Sequence, residues 1–482
     1  MPRLPRIALA TVILPFILAA CAVGPADQKP VVALAGAWRA QPPASSQDSP
    51  PLDAWWRGFN DPELVRVIER ARADNLDIAQ ARARVLASRA AARAAGAARL
   101  PSGSVDGQGQ YARQSLDGPI GSIGRHLPGF ARATPIYDLG VGAAWDPDLF
   151  GGLRRRHDAA VADADAARDE AVAVRLAVIA DAADAYIQVR AYQARLAVAV
   201  RQEAIQDDLA ALVRRQAAQG VAPDRELRQT EAALDGVRAT IPPLKAGLEA
   251  QLNRLDVLMG AAPGTWREEL SRRADTPSPP ALRVGDGPAA LLRRRPDILA
   301  AEQRLRAADA HIGQALAEYY PQVSLSGLLG VESLDATALF TPAAVKAVGG
   351  GALKWRLFDF GRIDAEVAQA RAVDAGALAA WRATALRASE EVEDAITDLV
   401  QQEARAAALD LQIAELTIAR RQAEQAYAGG VISLVEVRDA DRDLLAAADQ
   451  LAQARAGAAR AAVASFRALG GGWTPESPET PG

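Results

Sequence analysis

Side chains able to move a proton, hold a metal or attack a substrate are sparse and scattered in this 482-residue chain. There are three histidines, His126, His157 and His311, and one cysteine, Cys21. Acid–base or metal chemistry needs several such groups in one cleft, often announced by a short spacing such as H-E-x-x-H or C-x-x-C. None of the three histidines sits in such a pattern. His157, within Arg154-Arg155-Arg156-His157-Asp158, reads as a solvated helix start, and the basic cluster also suits anionic groups near a membrane boundary. Gly349-Gly350-Gly351 lacks the strand-to-helix setting and the lysine of a phosphate loop, and reads as strand flexibility. No enzyme is expected, and no metal or other cofactor. A net charge of −4 with both signs mixed gives no basic footprint for nucleic acid.

A lone cysteine cannot close an intramolecular disulfide, so Cys21 needs another use. Two arginines lie in Met1–Arg6, Ile7–Ala20 is almost wholly apolar, and small residues precede Cys21. That is the layout of a secretory signal peptide, too short and too abruptly ended for a spanning helix. Leu18-Ala19-Ala20-Cys21 resembles the bacterial lipobox, whose cysteine becomes the acylated first residue after the leader is removed. The expected modification is S-diacylglycerol and N-palmitoyl on Cys21, and Ala22 rather than aspartate fits onward transfer to the outer membrane. The alternative is ordinary cleavage at Ala20-Cys21-Ala22, with no lipid.

The positioning elements are long helices and short strands. Half the residues are hydrophobic but aromatics are only 5%, so alanine- and arginine-rich helices in thin, coiled-coil-like packing are expected rather than a compact core. Residues 153–219 contain no glycine or proline, long enough for one helix of about 100 Å, and 362–428 matches with Gly376 as its one soft spot. Leu176, Ile179, Ala183, Tyr186 and Ile187 follow three- and four-residue spacing. Each long run ends in a glycine turn, at Gly220-Val221 and Gly430-Val431, and a second helical run follows, so both read as hairpin tips, with Asp224 and Ser433 suited to N-caps. Pro242-Pro243 predicts a kink or register break in the return helix 225–259. Shorter helical patterns cover 62–99 and 297–318.

The chain is an internal duplication. A shift of 220 residues lays Asp77-Ile78 on Asp297-Ile298, Pro101 on Pro321 and Gly107 on Gly327. A shift of 210 lays Trp145 on Trp355, Phe150-Gly151 on Phe360-Gly361 and Gly220-Val221 on Gly430-Val431. The first half therefore has the longer connection between Gly107 and Trp145. Each half reads helix, two strands, long helix, tip, return helix. The strands, about 103–146 and 321–358, alternate: Tyr137, Leu139, Val141, Ala143 and Trp145 are interleaved with Asp138, Gly140, Gly142, Ala144 and Asp146. Such alternation suits a wall between lipid and water, though a soluble sheet with one wet face shares it. No apolar run after the leader reaches the roughly 20 residues of a membrane helix, so any crossing is made by strands. Four strands cannot close a barrel, and open edges cannot sit in lipid. Spanning strands therefore require several identical chains around one barrel.

With these landmarks the chain resembles the outer membrane factors, the TolC-like and OprM-like exit ducts of bacterial efflux systems. The likeness rests on Arg295-Pro296-Asp297-Ile298-Leu299-Ala300-Ala301-Glu302-Gln303-Arg304-Leu305, Tyr319-Tyr320-Pro321-Gln322-Val323, Ile241-Pro242-Pro243-Leu244, Phe358-Asp359-Phe360-Gly361-Arg362, Gly470-Gly471-Gly472-Trp473 and Cys21-Ala22-Val23-Gly24-Pro25. Relatives usually carry an aromatic where Ala26 follows Pro25. The resemblance implies a mainly helical homotrimer: four strands per chain in one twelve-stranded outer-membrane barrel, continuous with a periplasmic α-barrel. It implies an inner-membrane pump of the RND type, a periplasmic adaptor, and drugs or other small solutes as cargo. A type I protein-secretion duct is the alternative within the family; a pore-free periplasmic coiled-coil lipoprotein is the alternative outside it.

The expected division is a leader over 1–20, a lipidated extended segment over 21–60, repeats over 61–262 and 291–472 joined by an equatorial linker over 263–290, and a disordered tail over 473–482. The stretch from Val431 to Arg442 is close to the family's periplasmic entrance motif. Carried across, Val435 falls at an apolar constriction, Glu436 and Asp439 at acidic ring positions, and Arg442 at a basic partner. A solvated, charged helix start is the plainer reading of the same residues.

Overall fold

The computed structural model describes residues 30–42, 49–285 and 287–474. Cys21, the leader 1–20 and the Cys21–Pro25 landmark lie outside the described residues. The chain divides into two compact units. Among the described residues, one takes in 86–165 and 302–379 and holds four strands; the other takes in 31–85, 166–301 and 380–474 and is helical.

The duplication is visible in matched elements. Helix α1 (Pro62–Asp74) leads into α2 (Leu76–Ala97), strands β1 (Ser102–Arg113) and β2 (Ala133–Trp145), the long α3 (Gly152–Ala218) and the return helix α4 (Asp224–Leu258). The second repeat gives α5 (Pro296–Ala317), β3 (Gln322–Ser333), β4 (Val345–Lys354), α6 (Arg362–Ala428) and α7 (Leu434–Ala468). The pairs α2/α5, α3/α6 and α4/α7 have equal lengths of 22, 67 and 35 residues, so the sequence shifts correspond to equivalent backbone. The longer first connection is Gln114–Arg132, against Leu334–Ala344.

In the strand unit the order is β1-β2-β3-β4, antiparallel throughout. The register puts Val105, Val141, Leu329 and Ala347 side by side on one face, next to Leu139, Val331 and Val345. The other face carries Asp106, Gln108, Asp138, Glu332 and Lys346, with Lys346 bonded to Asp138 and to Glu332 at 2.9 Å. Leu328 and Val348 interrupt that polar face as a facing pair. Val105, Val141, Leu329 and Leu353 are each at least half exposed. The apolar face is uncovered within the chain, and β1 and β4 are left as edges open to further pairing. Gly349–Gly351 lies in β4, opposite Gly327, Ser326 and Leu325. β4 ends at Lys354, short of the expected 358. The Trp355 indole donates to the Tyr319 carbonyl at 3.0 Å, and Arg356 binds Glu318 and Glu366, which turns the chain off the sheet. Trp145 makes the equivalent bond to the Arg99 carbonyl, also at 3.0 Å.

In the helical unit, Leu176, Ile179, Ala183, Tyr186 and Ile187 are buried along one stripe of α3. The stripe continues to Arg190, whose side chain is fully buried. Its guanidinium donates to Glu63 at 2.6 Å and to the linker carbonyls of Arg272 at 2.6 Å and Leu270 at 3.4 Å. Tyr186 donates to Asp61, which in turn caps α1 through the N–H groups of Glu63 and Leu64. Burial, and then the Asp61 carboxylate, push the Tyr186 phenol above its ordinary pKa. The linker is fixed further by the buried Asp256, which accepts from the Gly264 and Trp266 N–H groups, and by Arg70 lying 3.9 Å over the Trp266 ring. Residues 30–42 carry no helix or strand; the N–H groups of Arg39 and Ala40 bind the Glu393 carboxylate on α6.

Several local expectations change. The 62–99 pattern splits at Asn75, whose side chain caps α2 through the Asp77 and Ile78 N–H groups while donating to the Leu258 carbonyl. Helix α4 runs through Pro242-Pro243 without a break. Proline's fixed φ is compatible with a helix, and Ile241 and Leu244 are held in a cluster with Ala199 of α3. Pro223, not Asp224, is the N-cap of α4, and Asp224 is its first residue. His157 is half-buried rather than solvated, with Gly96 of α2 beside its ring. Trp473, placed in the tail by sequence, exchanges hydrogen bonds with Arg294, while residues from 475 lie outside the described ones.

Two glycines show where positive φ is costly to replace. Gly260 closes α4 at φ +70, and a Cβ there would stand 2.3 Å from the Asp74 carbonyl oxygen. Gly430 has φ +73 in open space. Gly430→Ala therefore meets only the left-handed cost of about 1–2 kcal/mol, whereas Gly260→Ala adds a backbone clash. Thermal unfolding of the purified protein should fall further for Gly260→Ala; equal shifts would contradict this packing.

Candidate functional site

The two hairpin tips are built alike. At the first, the Val221 N–H reaches back to the Gln216 carbonyl at 2.9 Å and the Gly220 N–H to Ala217 at 3.0 Å, with Gly220 at φ +74. At the second, Val431 bonds Ala426 and Gly430 bonds Tyr427, both at 2.9 Å. These are Schellman closures, in which a left-handed glycine ends the helix and satisfies its last carbonyls. Val221 and Val431 project at 70% and 78% exposure, so each tip presents a largely exposed apolar side chain.

Helix α7 starts at the second tip with two distinct faces. Val437, Asp441 and Leu445 are buried. Val435, Asp439 and Arg442 recur at helical spacing on the opposite, exposed face. Arg442 pairs with Asp439 at 3.1 Å and Asp443 at 3.2 Å, so each chain partly neutralises its own acidic position. Glu436 is exposed, but its carboxylate accepts from the Ser433 N–H and hydroxyl at 3.2 Å, which gives it a capping role at the helix start.

Sequence reading missed the residues that hold this hairpin together. The buried Asp441 accepts from Arg420 on α6, and that hydrogen bond raises the Arg420 pKa above its ordinary value. Arg420 also pairs with Glu424 at 2.8 Å. The available signal was symmetry about the tip, since Arg420 and Asp441 lie almost equally far from Gly430 on either side. On the first hairpin, Arg238 of α4 binds Glu203 and Asp207 of α3, each at 3.1 Å. Arg438 reaches Thr230 of α4 at 3.5 Å, a weak link between the return helices of the two repeats.

The family model for outer membrane efflux proteins matches residues 67–261 and 288–471, with its gap at the linker. The chain belongs to the outer membrane efflux protein family. It is 31% identical over 438 residues to the pyoverdine export outer membrane protein OpmQ of Pseudomonas putida, covering 91% of this chain and 92% of that one. It is 29% identical over 456 residues to nodulation protein T of Rhizobium leguminosarum bv. viciae, covering 92% and 89%. Among solved structures, the outer-membrane channel OprN superposes with a TM-score of 0.82 at 30% identity, over 94% of this chain and all of that one. This efflux protein is thus an outer-membrane channel, mainly helical with a small strand part, whose helical part lies in the periplasm. Among the described residues no helix is long and apolar enough to cross a membrane.

Proposed function

We propose that three copies of this chain close one twelve-stranded barrel in the outer membrane and form the exit duct of a tripartite pump. The observation that carries the reading is the four-stranded sheet, apolar on one face, polar on the other and unpaired at both edges. Its polar face lines the passage and its apolar face meets lipid. A periplasmic adaptor docks at the tips around Val221 and Val431, and an inner-membrane pump of the RND type loads the duct. Drugs or other small solutes are the cargo, in line with relatives named for pyoverdine export and solvent efflux. The duct performs no chemistry; it works by opening an entrance lined by Val435, Asp439 and Arg442, a reading supported by their shared exposed stripe. Photo-crosslinkers at Val221 and Val431 in living cells should capture an adaptor identifiable by mass, and one at Asp208 on the shaft should not. Capture of no adaptor from either tip would contradict the docking assignment.

Acylation of Cys21 adds a second anchor, supported by the apolar leader ending in Leu18-Ala19-Ala20-Cys21. The mature N-terminus should carry a diacylglyceryl, N-acylated cysteine in mass spectrometry. An unmodified terminus at Val23 would refute it. Barrel insertion should survive Cys21→Ala, because a closed barrel anchors itself.

A further inference from the structure

The duplication fixes more than the count of strands. Hairpin β1–β2 pairs Ser102 with Ala144, and shifts of 220 and 210 carry that pair onto Gln322 and Lys354, which face each other in β3–β4. The two hairpins therefore share one register. Strands β2 and β3 make the one junction between repeats inside the chain, with Ala144 facing Ser326, Ala143 facing Gly327 and Trp145 facing Leu325.

Resting on the three-chain barrel proposed above, we infer that β4 of one chain pairs with β1 of the next in the register of the β2–β3 junction, which sets Lys354 directly opposite Asp106 of the neighbouring copy. The shift of 210 carries Ala144 onto Lys354, and the shift of 220 carries Ser326 back onto Asp106. The neighbouring pairs become Leu353 with Gly107 and Ala352 with Gln108.

Independent features of the chain agree with this placement. Asp106 and Lys354 are both exposed on free edge strands, carry opposite charge, and lie on the polar face. Opposite charges facing across strands stabilise a pairing, and like charges oppose it. A slip of one residue would set the apolar Leu353 against Asp106 and mix the two faces. Below the sheet, Phe150 of the first repeat stacks on Tyr320 of the second at 4.7 Å and 14°. The equivalent of Phe150 is Phe360, which is fully exposed within one chain, and the equivalent of Tyr320 is Leu100, exposed at 66%. The same junction between chains seats Phe360 against the neighbour's Leu100, so both exposed side chains gain a partner from a second copy.

Engineered cysteine pairs in the full chain test the register. Oxidation of Asp106→Cys with Lys354→Cys should link most of the protein into covalent two- and three-chain species on denaturing, non-reducing gels. Gln108→Cys with Lys354→Cys, displaced diagonally by about 7–8 Å, lies beyond disulfide reach and should link less than about one tenth as much. Each single variant retains Cys21 and reports any linkage through it. Stronger linking by the Gln108 pair would overturn the register while leaving three chains in the barrel. No interchain linking by either pair, in protein whose native mass is three chains, would overturn it as well. The same result with a native mass of one chain would overturn both the register and the shared barrel.

Discussion

Asp439→Ala raises single-channel conductance in planar bilayers and weakens cation preference, and Asp439→Ala with Arg442→Ala raises conductance with a smaller loss of preference. The difference between the variants follows from the pairing within α7. Asp439 and Arg442 are 3.1 Å apart, so removing the acid alone leaves a basic ring partly held by Asp443. Three carboxylates roughly 6 Å from a passing cation favour it by a factor of about 30 at a water-like dielectric. The paired arginines and salt reduce that to a change of a few-fold. The folded hairpin should survive, because Asp441, which binds Arg420, faces the other way. Asp208, exposed on the shaft of α3, is the control; Asp207 is unsuitable because its carboxylate holds Arg238 at 3.1 Å. Equal responses from Asp208→Ala and Asp439→Ala, or no response from either, would sink the entrance assignment and leave the duct standing.

Arg190→Ala should cost about 3–5 kcal/mol. The guanidinium is fully buried and divides its hydrogen bonds among Glu63, Gln193 and the linker carbonyls of Leu270 and Arg272. Truncation takes the donor from the Glu63 carboxylate and the Arg272 carbonyl, leaves the Leu270 carbonyl with only Gln193 at 3.1 Å, and removes the cation 4.7 Å from the Tyr186 ring. Arg190→Lys should recover only part of the loss, since an ammonium cannot serve that forked set of acceptors at once. Denaturation of the purified protein measures the stability, and limited proteolysis within 263–290 reads the release of the linker. A melting temperature within a degree of the parent, with the linker still protected, would show that the network is dispensable.

The features legible in the sequence were those with a period or a landmark. Equal helix-forming runs, glycine turns at Gly220 and Gly430, and alternation in Tyr137–Trp145 all express backbone geometry directly in residue type. The duplication was legible because turns and strand ends tolerate few residue types, so Gly107 and Trp145 survive as markers where alanine-rich helix does not. What sequence could not supply were contacts between distant segments. In sequence Arg190 is one more charge on a helix of many arginines; only folding brings Glu63 and the linker to it. Asn75 read as helix because its side chain replaces the backbone bonds lost at the break. At the prolines 242 and 243 the helix assignment is continuous, with Ile241 and Leu244 packed in a cluster with Ala199 of α3. At the entrance, residue types announced charge and an apolar position, whereas the division into a buried Asp441 face and an exposed Asp439 face needed the hairpin itself.

The claim that three chains share one pore is tested most directly by native mass spectrometry of the protein released from the outer membrane in mild detergent. A single dominant species of three chains is expected, since each copy supplies four strands with two open edges. A dominant one-chain species, folded and stable in the same detergent, would contradict it.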